Sequence, residues 1–145
     1  MATVAVSRVY AASVGDAEAC WYDTGRWPDW VDGAARVLRV DDNWPRAGSS
    51  VVWESIPAGR GRVRETVSEY EPRAGTTAAV EDDSILGTQR VTFSPAPGGV
   101  EVELSLDYRM KRRTPVTPLI EWLFVRRPMT MSLTRTLERF GGVLR

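Results

Sequence analysis

From Ala34 to Met110 apolar and polar residues alternate with a period of two, and turn-forming clusters interrupt the alternation at short intervals. No other feature constrains the fold as much, because successive side chains point to opposite faces of a strand, whereas a helix repeats every ~3.6 residues. The interruptions are Asp41-Asp42-Asn43-Trp44-Pro45, Pro57-Ala58-Gly59, Pro72-Arg73-Ala74-Gly75, Asp82-Asp83-Ser84 and Pro95-Ala96-Pro97-Gly98-Gly99. They delimit six predicted strands, near 35–41, 49–56, 61–71, 76–82, 87–95 and 99–110. Links this short join only antiparallel neighbours, so the six strands form a meander. In the last of them Val100, Val102, Leu104, Leu106, Tyr108 and Met110 share one face, and Glu101, Glu103, Ser105, Asp107 and Arg109 share the other. One face of the sheet is wet and the other is covered.

The flanks supply the rest. Val4, Val6, Arg8 and Tyr10 alternate with Ala5, Ser7, Val9 and Ala11, which predicts an opening strand. Ser13 is placed to N-cap a short helix over 14–22, with Asp16 and Glu18 near its positive end. Trp27-Pro28-Asp29-Trp30 predicts one further helical turn, begun by its proline. Beyond Met110 helical spacing returns over 117–144: Leu119 and Leu123, then Leu133, Leu137, Phe140 and Leu144, make an apolar stripe suited to covering the sheet. Pro118 suits the first turn of that helix, whereas Pro128 falls inside it and is predicted to kink or break it.

Composition enters as a set of exclusions. With 145 residues the chain is expected to form one domain, 1–145. Nineteen basic and nineteen acidic residues cancel, which disfavours a nucleic-acid footprint. Histidine is absent, so Ser-His-Asp and Cys-His catalysis and histidine-ligated zinc are impossible. Cys20 is the one cysteine, which rules out an internal disulfide and any CxxC site and reads as a structural thiol. Neither a metal nor a cofactor is expected. Without a signal-peptide pattern or a membrane-spanning apolar run, the expected location is cytoplasmic.

The order of strand, two short helices, six-strand meander and long terminal helix resembles the START-like superfamily, also called SRPBCC, which includes Bet v 1-like helix-grip proteins and bacterial polyketide cyclase/dehydrase and lipid-transport-like proteins. The resemblance covers essentially the whole chain. Its local carriers are Trp27-Pro28-Asp29-Trp30-Val31-Asp32-Gly33, Val52-Trp53-Glu54, Gly59-Arg60-Gly61-Arg62-Val63 and Thr117-Pro118-Leu119. It implies an α+β helix-grip fold: a curved seven-stranded antiparallel sheet wrapped around a long C-terminal helix, with two short helices between strands 1 and 2. It further implies a cavity for an apolar small molecule. Because one fold hosts many functions, function has to be argued from the site.

Among the candidate site residues Glu65 is the most informative. It lies between Val63 and Val67 at strand spacing, on the face predicted to be covered. Burial there would raise its pKa and make it a usable acid, base or polar anchor. The competing placements are a register shift at a bulge, or a cavity mouth where Glu65 pairs an arginine such as Arg90. Gln89 aligns with Val91 and Phe93 and could hydrogen-bond a ligand carbonyl. Trp53, Phe93 and Tyr108 on strands, with Trp122 and Phe124 on the terminal helix, suit an apolar pocket. Val67, Leu106 and Leu123 complete the predicted lining. Trp27 and Trp30 are assigned to plugging the sheet opening. Glu81-Asp82-Asp83-Ser84 reads as a solvated turn, although Asp82 continues the face of Ala78 and Val80.

Three functions fit. The first is a carrier or sensor holding a hydrophobic metabolite or lipid between the sheet and the last helix. The second is an enzyme similar to polyketide cyclases, aromatases or dehydratases, with Glu65 transferring protons and Tyr108 or Gln89 orienting a carbonyl. The third is a protein-interaction domain using Lys111-Arg112-Arg113 and Arg126-Arg127, clusters that also permit peripheral membrane contact. A monomer or a homodimer is compatible with all three.

Overall fold

The structure is a computed structural model that describes residues 2–111, 115 and 125–144. Among these residues the chain runs β1 (Ala2–Tyr10), α1 (Val14–Tyr22), a 3-10 turn (Thr24–Arg26), α2 (Trp27–Trp30), β2 (Ala34–Val40), β3 (Ser50–Ser55), β4 (Arg62–Glu71), β5 (Gly75–Glu81), β6 (Ile85–Ala96), β7 (Gly99–Met110) and α3 (Arg126–Val143). The α+β helix-grip class is the one observed. The seven strands form one antiparallel sheet in the order β1-β7-β6-β5-β4-β3-β2. From β2 to β7 the chain meanders, each strand pairing its successor, as the turn clusters require. The link through α1 and α2 carries the chain from one edge of the sheet to the other.

Local chemistry accounts for the short helices. Ser13 caps α1 by accepting the Asp16 N–H at 3.0 Å. Pro28 sits at the start of α2, where its missing N–H costs no helical hydrogen bond. Ala17 and Trp21 of α1 and both tryptophans of α2 are buried. The indole of Trp27 donates to the Trp21 carbonyl at 2.8 Å and so locks the two helices together.

The terminal helix is gripped as the alternation requires. Leu133, Leu137 and Phe140 are buried, and each contributes about 1.5–3 kcal/mol relative to exposure. Phe140 meets the rings of Trp30, Trp21 and Tyr10 at centroid distances of 4.9, 5.1 and 5.4 Å. The Tyr10 hydroxyl donates to the Leu137 carbonyl at 2.5 Å. That hydrogen bond ties β1 directly to α3.

Pro128 is the third residue of the described helix, and the segment before Val125, on which the predicted kink or break depends, lies outside the described residues. The predicted helical stretch from Thr117 to Phe124 lies outside the described residues.

Candidate functional site

Alternation carries Val63, Glu65 and Val67 to the inner face of β4, and all three are buried. Glu65 is only 7% exposed. In the ladder it faces Val51 of β3, which makes Trp53 its diagonal neighbour. Trp53 Nε1 accordingly donates to Glu65 Oε2 at 2.8 Å. On the other side β5 separates β4 from β6, and Ala78 and Gln89 are partners across β5 and β6. Gln89 reaches past the small Ala78 and donates from Nε2 to Glu65 Oε1 at 3.3 Å. Both carboxyl oxygens therefore already accept a hydrogen bond.

Burial raises the pKa of Glu65 above the ordinary carboxylate value. The Trp53 hydrogen bond, the Arg60 charge and the Gln89 hydrogen bond oppose this, in that order, without reversing it.

Arg60 comes from the β3–β4 turn. Gly61 follows it with φ +75°, and a Cβ at that position would lie 2.1 Å from Asp83 Oδ2. Only glycine lets this turn pass so close to the β5–β6 turn. The approach brings Arg60 Nε to Asp82 Oδ2 at 2.7 Å and its guanidinium carbon to 5.6 Å from the centre of the Trp53 ring. Asp82 is buried rather than part of a solvated turn, and its Oδ1 accepts the Ser84 and Ile85 N–H groups at 2.8 and 2.9 Å. Arg90, the cation considered for Glu65, is exposed and bonds Thr77 Oγ1 instead.

These groups floor a cavity of about 40 Å³ beneath α3. Trp21, Trp27, Trp30 and Trp53 supply most of its aromatic wall, and Met129, Ser132, Leu133 and Thr136 of α3 close it. Two donors on this wall are buried without an acceptor among the described residues, Trp30 Nε1 and Arg60 Nη2.

The seam between α3 and the α2–β2 link is held at Asp32. Its backbone N–H donates to Thr136 Oγ1 at 3.0 Å, and its Oδ2 accepts from Ser132 Oγ at 2.7 Å. Arg139 Nη1 approaches its Oδ1 to 3.3 Å. Residues 132, 136 and 139 recur at helical spacing, so one aspartate contacts one stripe of α3.

Of the predicted lining, Trp53, Glu65 and Gln89 meet at this cavity. Val67, Phe93, Leu106 and Tyr108 are buried elsewhere in the core, Phe93 against Trp21 and Tyr22. Leu123 and Phe124 lie outside the described residues. Sequence reasoning did not assign Trp30, Arg60 and Asp32 to a site. Each lies in a motif that carried the family resemblance, yet no periodic pattern marks a turn residue as facing inward. Among the described residues no three acidic or cysteine side chains converge as metal ligands.

Residues 1–145 match the family described as polyketide cyclase / dehydrase and lipid transport. No curated protein matches the chain by sequence. Similar solved structures include a START superfamily protein from Mycobacterium smegmatis, with TM-score 0.74, 17% identity and 99% of each chain covered. An uncharacterised protein from Rhizobium leguminosarum aligns with TM-score 0.76 and 14% identity over 99% of this chain and 93% of that one. The di-domain ARO/CYC StfQ of the steffimycin biosynthetic pathway aligns with TM-score 0.77 and 15% identity over 97% of this chain, which spans 49% of StfQ. At such identities the likeness is one of fold.

Proposed function

The chain belongs to the polyketide cyclase / dehydrase and lipid transport family, and from that premise we propose that it holds a small, mostly apolar molecule between the sheet and α3. The observation that carries this reading is the wall beneath α3: four tryptophans around a polar floor of buried Glu65 and half-buried Gln89 and Arg60. Small-molecule sites combine an apolar lining with a few placed polar groups in this way.

The cavity, at about 40 Å³, has room for water or a single functional group. A whole ligand needs a few hundred Å³. Binding therefore requires α3 to lift from the sheet, and the Asp32 contacts are what it must release. The two ion pairs there, from Arg135 and Arg139, are made by half-exposed guanidinium groups and are weak, so the seam can open at modest cost.

The test is titration with the neutral fluorophore N-phenyl-1-naphthylamine, following energy transfer from the tryptophans. The expected result is saturable binding at one site, with Asp32→Ala costing about 1 kcal/mol of stability and accelerating association several-fold. Absence of saturable transfer would overturn the cavity reading. An unchanged association rate in the variant would remove Asp32 from the entry path.

A second reading is supported by one observation. A buried carboxyl whose pKa is raised, on the wall of such a cavity, suits proton transfer to or from a bound carbonyl compound. This is the cyclase-type alternative, with Glu65 as its acid or base.

A further inference from the structure

The sheet has two edges, β1 and β2, and the sequence treats them differently. An edge strand offers unpaired backbone N–H and C=O groups to any other strand, and proteins blunt it with bulges, charges or proline. β2 is blunted. Its register with β3 shifts twice, and it carries Arg36 and Arg39, engaged with Glu54 and Asp41 at 2.7 and 3.6 Å. β1 has no such protection. Its nine residues pair with β7 without a shift, from Ala2 against Tyr108 to Tyr10 against Val100. It contains no proline, glycine or acid, and Arg8 is its one charge. Thr3, Ala5, Ser7 and Val9 are exposed on its outer face, Val9 by 50%. Among the described residues no strand pairs its free edge. We propose that this edge is an interface between two copies of this chain, β1 pairing antiparallel with β1 across a two-fold axis at Val6.

Self-complementarity selects both the occupant and the register. Antiparallel partners stand on the same face of a sheet, so Val4, Val6, Arg8 and Tyr10, on the side of α3, must meet one another and not Thr3, Ala5, Ser7 or Val9. With Val6 opposite its own copy, Ala2 meets Tyr10, Thr3 meets Val9, Val4 meets Arg8 and Ala5 meets Ser7. All nine residues then pair, whereas any other same-face register leaves strand ends overhanging. Exposed Val9 gains a β-branched neighbour in Thr3 of the second copy. Arg8 stands opposite valine, so no like charges are opposed, and it keeps Glu138 of its own α3 at 3.9 Å. A hollow of about 220 Å³ between Val6, Ser7 and Arg8 of β1 and Thr134 and Leu137 of α3 leaves room beside the inward valines. Pairing β1 with β2 of another copy would instead be head-to-tail and unclosed, on an edge already blunted. A nine-residue strand is about 30 Å long. So narrow a contact falls below the ~1,200 Å² of a standard interface, which makes the dimer a weak one with a micromolar Kd.

Sedimentation velocity between about 1 and about 300 µM tests this. The wild-type chain is expected to pass from monomer to dimer across that range. Ala5→Lys places a charge at an exposed edge position, diagonal to its own copy across the axis. It should weaken dimerisation about tenfold while leaving the melting temperature of the dilute protein unchanged. In a Cys20→Ser background, Val6→Cys stands opposite itself and should oxidise to a covalent dimer, whereas Thr3→Cys, opposite Val9, should not. A wild-type chain that stays monomeric throughout would overturn the proposal. A dimer that Ala5→Lys leaves unchanged would overturn it too, because another surface would then hold the copies. Cross-linking of Thr3→Cys as fast as Val6→Cys would overturn the axis at Val6. Should a cysteine variant not fold, sedimentation of the wild-type and Ala5→Lys chains still decides.

Discussion

Replacing Phe140 with alanine is expected to cost about 3–5 kcal/mol, the range for truncating a fully buried aromatic side chain. In a domain of this size the melting temperature should fall by roughly 10 °C. Phe140 is the point where α3, α1, α2 and β1 converge, through the rings of Trp21, Trp30 and Tyr10. Its removal leaves a void that four elements would have to fill together. Met131, on the same helix but exposed, provides the control, and Met131→Ala should change stability by less than about 0.5 kcal/mol. Thermal and urea denaturation of the two variants measure the contrast. A Phe140→Ala protein within 1 kcal/mol of wild type would mean that α3 is not seated on the sheet as described, and the cavity beneath it would lose its roof.

The second large effect belongs to Glu65, and it is a dependence on pH. Because the folded chain holds this proton more tightly than the unfolded chain, the folded state binds more protons between the two pKa values. Wild-type stability contributed by this group is therefore full below the ordinary carboxylate value of 4.5. It declines as pH rises above that value and levels off above the raised folded pKa. Glu65→Gln removes the titration. Its amide can still accept from Trp53 Nε1, and Gln89 can exchange its amide O and N to accept from the new NH₂ group. The variant should fold, within about 1 kcal/mol of wild type at low pH, and should gain on wild type as pH rises. Denaturation curves across that pH range test it, and parallel curves for the two proteins would contradict the buried, proton-holding Glu65. The same variant separates the two functional readings. A binding protein should change affinity modestly, whereas an enzyme using Glu65 as acid or base should lose about 10²–10⁴-fold in turnover.

The sheet was legible because its signal is local. Alternation in β7 and the turn cluster at Pro95-Ala96-Pro97-Gly98-Gly99 suffice to place a strand and its antiparallel partner. The pairing of β1 with β7 is different, joining Ala2 to Tyr108 across nearly the whole chain, and no alternation reports it. The family resemblance placed β1 in a seven-stranded sheet without naming its partner.

The site was legible to the same depth. Glu65 between Val63 and Val67 could be assigned to the inner face because β4 keeps its period through those three residues. Its partners were not visible, because Trp53 and Gln89 reach it through a diagonal contact and across an intervening strand. Arg60 was hidden because it lies at a turn, where period-two reasoning ends, and Asp82, although the alternation runs on to it, sits in an acidic cluster that reads as a solvated turn. Their pairing depends on Gly61 letting two turns touch, a tertiary fact. The unpaired donors at Trp30 and Arg60 follow from tertiary packing and have no sequence signal.

The central claim is that the chain holds a small apolar molecule beneath α3. Native mass spectrometry of the protein freshly purified from the organism that encodes it tests this most directly, followed by denaturing extraction of whatever it carries. The account predicts a discrete added mass that is released on denaturation as one small, mostly apolar compound. A bare chain mass, together with unchanged thermal melts across a broad panel of apolar compounds, would contradict it.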